Sequence, residues 1–138
     1  MKTKHVPTKT AAVASNDAGT RWRPERLGAL VTVLILSGIL VATLTPPDNM
    51  PSEVPGSDKL HHFAAFAAFV LPLAVLRPQR WVWLVPLAIA LGIAIELVQP
   101  WFGRERSVGD MVANGLGAAC GAVLAWLLHR PVVRLLRT

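Results

Sequence analysis

Residues 81–99 read WVWLVPLAIALGIAIELVQ and carry no charge until Glu96. A helix needs roughly 20 predominantly apolar residues to cross a hydrocarbon layer, and this segment supplies them. Its one carboxylate stands near the end of the span, not at its middle. Three further segments repeat the pattern. Residues 27–45 (LGALVTVLILSGILVATLT) are uncharged, 59–76 (KLHHFAAFAAFVLPLAVL) are apolar after the first turn, and 111–128 (MVANGLGAACGAVLAWLL) are uncharged. The fold class that follows is all-α, an integral membrane bundle of four transmembrane helices. Pro72 and Pro86 fall inside spans, where neighbouring groups can resatisfy the backbone.

Composition agrees. The chain has 138 residues, 53% hydrophobic and only 16% charged, with a mean hydropathy of +0.47. A soluble domain carries about a quarter charged residues, so a soluble enzyme is a poor fit. Eleven prolines and ten glycines exclude one long coiled coil. The net charge of +6 suits nucleic acid or an anionic membrane surface. Hydrophobicity decides for the membrane, and no zinc-finger, RNA-binding or phosphate-loop signature argues for nucleic acid. Cys120 is the only cysteine, so no intrachain disulfide forms.

The length holds one domain. Residues 1–26 are polar and basic and read as a largely disordered tail; residues 129–138 form a short basic tail. A cleaved signal peptide is the weaker reading of 27–45, because its basic region would be long and no small-x-small site follows. Residues 46–58 and 101–110 are loops, and 77–80 (RPQR) is a tight turn. Placing both tails and that turn on one side gathers every basic residue except Lys59, Arg104 and Arg106 there. The positive-inside rule then makes both termini cytoplasmic in a multi-pass inner (plasma) membrane protein, with loops 46–58 and 101–110 outward. Trp22, Trp81, Trp83 and Trp126 fall near the inner interface and Trp101 near the outer one, as aromatic belts do.

Within this frame the polar residues collect at the outer end. Asp58, Lys59, His61 and His62 open the second span; Glu96 and Gln99 close the third. Arg104, Glu105, Arg106 and Asp110 lie in the second outer loop, and Asn114 about one turn into the fourth span. Asp58 and His62 are i, i+4 on one face, and Glu96 and Gln99 are i, i+3, with Gly92 on the same stripe. Asp110, Asn114, Gly117 and Gly121 run along one face of the fourth span. Gly117-xxx-Gly121 permits close approach of another helix, so the fourth span packs centrally and carries Asp110 and Asn114 toward the others. Glu96 needs a partner at that depth; Arg104 and Lys59 are the counter-charges and His62 a hydrogen-bond partner.

Structural readings stand beside these. Asp58 and Asp110 also suit helix N-caps, Glu96–Arg104 a helix-fastening ion pair, and His61 an interfacial side chain. Phe63, Phe66 and Phe69 face lipid or core, Cys120 is a small packing residue, and Glu105 and Arg106 are rim charges. His62, Glu96 and Asp110, with His61 in reserve, are metal-ligand types that one site could combine. With no HExxH, no CxxC and one firmly placed histidine, no metal and no cofactor are assigned. Ser57 and Ser107 lie near the cluster without a GxSxG elbow. Acid–base catalysis by His62, Glu96 or Asp110 is chemically open.

The same residues resemble the VanZ-like membrane proteins. The pattern is Asp58-Lys59-x-x-His62-Phe63 opening one span, Glu96-x-x-Gln99 closing the next, Gly103-Arg104, then Asp110, Asn114, Gly117 and Gly121. It covers roughly residues 27–128. Arg106 is a second candidate for the family arginine, though Arg104 fits the spacing to Asp110 better. The resemblance implies about four spans and a context of low-level resistance to the glycopeptide teicoplanin in a bacterial envelope. The leading expectation is an outward cluster of Asp58, Lys59, His62, Glu96, Gln99, Arg104, Asp110 and Asn114. Its partners would be membrane lipids, a lipid-linked envelope precursor or a glycopeptide, and the small-residue face admits a homo-oligomer. The alternatives are a membrane enzyme acting on a lipid-linked intermediate and a structural subunit in which the cluster only locks helices.

Overall fold

The computed structural model describes the backbone of residues 10–46 and 57–136, and the side chains of 24–46 and 58–136. Most of loop 46–58 and residues 1–9 therefore lie outside the described residues. Four helices follow in order: α1 (Thr10–Leu44), α2 (Ser57–Leu76), α3 (Trp81–Val98) and α4 (Val108–Leu135). Short 3-10 turns at Pro78–Arg80 and Gln99–Phe102 lead into and out of α3. No strand occurs among the described residues. Each helix contains a segment long and apolar enough to cross a membrane.

Two helices run beyond the spans read from the sequence. α1 begins at Thr10, inside the stretch read as a tail; an alanine-rich start is a good helix former. α4 runs from Val108 to Leu135, so it takes in the end of the expected outer loop and most of the expected C-terminal tail. Ser107 caps its start, and Pro131 is carried within it.

The bundle is inverted relative to a soluble protein. Trp83, Trp126, Val41 and Leu116 are exposed, whereas Glu96, Gln99, Asn114, His62 and Asp110 are buried. Such an apolar exterior suits lipid. The apolar core is built of Phe66, Val70 and Ala74 from α2, Ala88 from α3, Ala118 and Ala125 from α4, and Ile39 from α1. The hydroxyls of Ser37, Thr43 and Thr45 donate to carbonyls four residues back, which hides them from lipid.

α4 packs between α2 and α3, and α1 packs mainly on α2. The tightest approach is glycine-mediated. A Cβ at Gly117 would lie 2.2 Å from the Phe63 carbonyl oxygen, and one at Gly121 2.4 Å from that of Ala67. Hydrophobicity does not draw helices together in lipid, so close van der Waals fit is what holds this pair.

Different contacts mark the two ends of the bundle. At one end the Arg77 guanidinium pairs with Glu25 at 2.7 Å, with Arg80 at 3.7 Å from the same carboxylate. Nearby, Gly28 of α1 lies against Leu76, and His129 Nδ1–H donates to the Val75 carbonyl at 2.8 Å. Glu25 belongs to the stretch that the sequence marks as tail; its pairing ties the α1 entry to the 77–80 turn. The opposite end holds the polar cluster.

Gly117→Ala tests the contact. Overpacking costs about 1–3 kcal/mol, so the variant should melt earlier in detergent. Gly115→Ala, whose Cβ would meet only Ile89 at 3.8 Å, should hold or gain stability through helix propensity.

Candidate ligand-binding cleft

The sequence Ser107-Val-Gly-Asp110 has the form of a capping box, in which the fourth residue's carboxylate folds back onto the first residue's N–H. Only half of it forms. Asp110 N–H donates to Ser107 Oγ at 3.3 Å, making Ser107 the N-cap of α4. The Ser107 N–H, however, donates to Glu96 Oε2 at 3.0 Å. Glu96 has taken the donor that Asp110 would have used, and the Asp110 carboxylate is left facing Lys59 Nζ at 3.8 Å.

This corrects three expectations. Asp110 is not the cap of α4. Asp58 lies inside the first turn of α2, which starts at Ser57, so it does not cap that helix either. No Glu96–Arg104 or Glu96–Lys59 ion pair forms. Glu96 is 0% exposed, and its counterpart is a backbone amide, because the chain after Phe102 turns back over the end of α3. Arg104 reaches Asp58 instead, at 3.7 Å.

The turn itself is specified locally. Gly103 takes φ 75°, the left-handed region that favours glycine, and its N–H and that of Arg104 return to Pro100 and Gln99 carbonyls. Gln99 Nε2 then donates to the Thr43 carbonyl at 3.3 Å and Arg104 Nη1 to that of Ala42 at 3.4 Å. These carbonyls belong to the last turn of α1, which needs outside donors.

Beneath them lies a buried pair. His62 Nδ1–H donates to Asn114 Oδ1 at 3.0 Å, and His62 Nε2 faces Asp58 Oδ1 at 3.6 Å. The pair exists because Gly92 leaves room: a Cβ there would lie 2.9 Å from both Cβ and Nδ2 of Asn114. Buried oxygens of Glu96 (Oε1) and Asp110 (Oδ1) and the Asn114 amide nitrogen have no hydrogen-bond partner.

The cluster opens into a cleft of about 320 Å³. Asp58, Lys59, Gln99, Arg104 and Asp110 line it, whereas His62, Glu96 and Asn114 sit underneath and position the wall. Gly103, Glu105 and Ser107 complete the lining. Ser107 lacks a nucleophile motif in the sequence; its part as the α4 cap is signalled by the Ser-x-x-Asp spacing, whereas its backbone donation to Glu96 is not. Gly109 was not singled out. A Cβ there would meet Lys59 Cε at 2.7 Å, so it provides the floor on which the lysine lies. His61, Glu105 and Arg106 are exposed.

Asn114→Ala should cost about 1–3 kcal/mol, since it leaves the buried His62 Nδ1 unpaired. Ser107→Ala keeps the backbone donor to Glu96 and loses only the cap, costing about 1 kcal/mol. Thermal unfolding of both variants in detergent checks the ranking.

A family model described as VanZ/LLP1 matches residues 39–129, which takes in α2, α3, the turn after it and most of α4. No curated protein and no solved structure matches the chain. With this family's model covering more than half of its length and every residue of the cleft, the chain belongs to the VanZ/LLP1 family.

Proposed function

We propose that the cleft faces the outside of the plasma membrane and binds the anionic headgroup of an envelope lipid or of an amphipathic antibiotic seated in the outer leaflet. The orientation follows from the distribution of Lys and Arg, which favours the opposite end as cytoplasmic. In that frame Trp81, Trp83 and Trp126, all exposed, lie toward the cytoplasmic end and Trp101 toward the cleft.

One observation carries the binding reading. Lys59 and Arg104 both line the cleft, and each meets its carboxylate only at 3.7–3.8 Å. That is longer than the roughly 2.7–2.9 Å of a formed charge-assisted hydrogen bond. Lys59 Nζ and Arg104 Nη2 are therefore available to a phosphate, while Arg104 Nη1 is anchored on the Ala42 carbonyl. The Arg104 side chain is 15% exposed, so it is already ordered before a ligand arrives.

Size narrows the ligand. About 320 Å³ is at the lower end of the roughly 300–1,000 Å³ of small-molecule sites. It suits a headgroup or a single substituent of a glycopeptide. Glu96 and His62 lie under the wall and do not line the cleft, which favours binding over acid–base chemistry by this pair.

The test is lipid retention by purified protein in mixed phosphatidylglycerol and phosphatidylcholine nanodiscs. Wild type should enrich phosphatidylglycerol. Arg104→Gln should weaken this about tenfold, the loss of one charged hydrogen bond. Equal retention by both proteins would sink the headgroup reading. In a glycopeptide-sensitive host, wild type should raise teicoplanin tolerance more than Glu96→Gln at matched membrane levels; equal protection would remove Glu96 from the functional set.

A further inference from the structure

Asp58, His62 and Asp110 place one ligand atom each within 4.8 Å of one another. Two of the three residues are buried, and all come from the first turn or two of α2 or α4. We propose that these three side chains form a binding site for a divalent transition-metal ion of the zinc or manganese class. This site uses the cleft described above but does not depend on which anion the cleft takes.

The histidine is already arranged as a ligand. A metal-bound imidazole commonly gives its other ring N–H to an oxygen acceptor, which fixes tautomer and orientation. His62 does so: Nδ1–H donates to Asn114 Oδ1 at 3.0 Å, and Nε2 is turned toward Asp58. Nε2 and Asp58 Oδ1 are 3.6 Å apart, beyond a hydrogen bond of 2.7–3.2 Å. It is close to the roughly 3.4 Å that separates two donors on one tetrahedral zinc, each bonded at about 2.1 Å.

A second observation points the same way. Asp110 is 5% exposed, and its Oδ1 has no hydrogen-bond donor. The capping arrangement that would have consumed this carboxylate has been diverted to Glu96. Among the described residues Asp110 pairs with Lys59, at 3.8 Å, whose 61% exposed side chain can swing away at little cost. Glu96 lies behind the group, with its Oε2 held by the Ser107 N–H.

One imidazole with two carboxylates suits zinc or manganese; magnesium and calcium prefer all-oxygen sets. Three protein ligands leave a fourth position open toward the cleft, where a phosphate or carboxylate oxygen of a ligand would bind. Lys59, displaced from Asp110, and Arg104 would flank that oxygen. The sequence reading assigned no metal and grouped His62 with Glu96. The fold replaces Glu96 with Asp58 in the ligand set, since Glu96 is engaged by Ser107.

The experiment uses full-length, tag-free protein in detergent, stripped with chelator and titrated with Co2+ alone, read by visible absorption, with Zn2+ as competitor. Wild type should take up one ion per chain, displaced by zinc. His62→Ala and Asp110→Asn should each weaken binding by more than roughly tenfold, and Asn114→Ala, which touches no ion, by roughly 10–100-fold. His61→Ala should bind as wild type, and circular dichroism shows which variants are folded. Absence of stoichiometric binding by wild type would overturn the proposal. So would loss of binding in His61→Ala, or wild-type affinity in folded His62→Ala. Because no lipid is present, failure here leaves the headgroup reading standing, and the converse also holds.

Discussion

The contact of α4 with α2 at Gly117 and Gly121 governs the rest of the structure. With no side chain on either glycine, the α4 backbone settles against the carbonyls of Phe63 and Ala67. Phe63 follows His62, and Gly117 is one turn beyond Asn114. The close approach therefore brings His62 to Asn114 and, a turn further out, Lys59 to Asp110. Separate the helices by one methyl group and both polar contacts open. Gly92 plays the matching part on α3, where it admits Asn114. Small residues in this protein set the geometry of the polar ones.

Glu96 links this frame to the connecting chain. Its carboxylate holds the N–H of Ser107, so the end of α3 fixes the start of α4 across the intervening turn. That bond also releases Asp110 from local capping. Arg104 and Gln99 reach back to the last carbonyls of α1, which ties α1 into the same end of the bundle. The cleft wall is thus built from the starts of α2 and α4 and the turn after α3, with α1 anchoring that turn, and the buried Glu96 side chain joins α3 to α4.

Much of this was legible in the sequence because lipid imposes simple rules. Four apolar segments, a glycine pair at helical spacing and polar residues restricted to one end follow from hydropathy and period alone. The eight residues singled out are found together at that end, five on the cleft wall and three beneath it. Who pairs with whom was not legible. Sequence spacing reports faces within one helix, whereas the Asp58–Arg104, Lys59–Asp110 and Glu96–Ser107 contacts depend on the relative rotation of helices and on the turn made at Gly103. Backbone donors are invisible in a sequence, so a side chain was sought for Glu96 and the amide was missed. Glu25 was missed because the charge reading weighed only the basic residues of its segment, whereas it fastens Arg77 and Arg80.

Binding of an outer-leaflet headgroup requires the cleft to lie on the outer side of the membrane. The direct measurement replaces Cys120, the lone cysteine, with alanine and introduces a single cysteine at the exposed rim position Glu105, with a second variant at exposed Arg130. Intact cells are then treated with a membrane-impermeant maleimide. Glu105→Cys should label from outside and Arg130→Cys only after the cells are opened. The reverse pattern would place the cleft in the cytoplasm and contradict an outward-facing site.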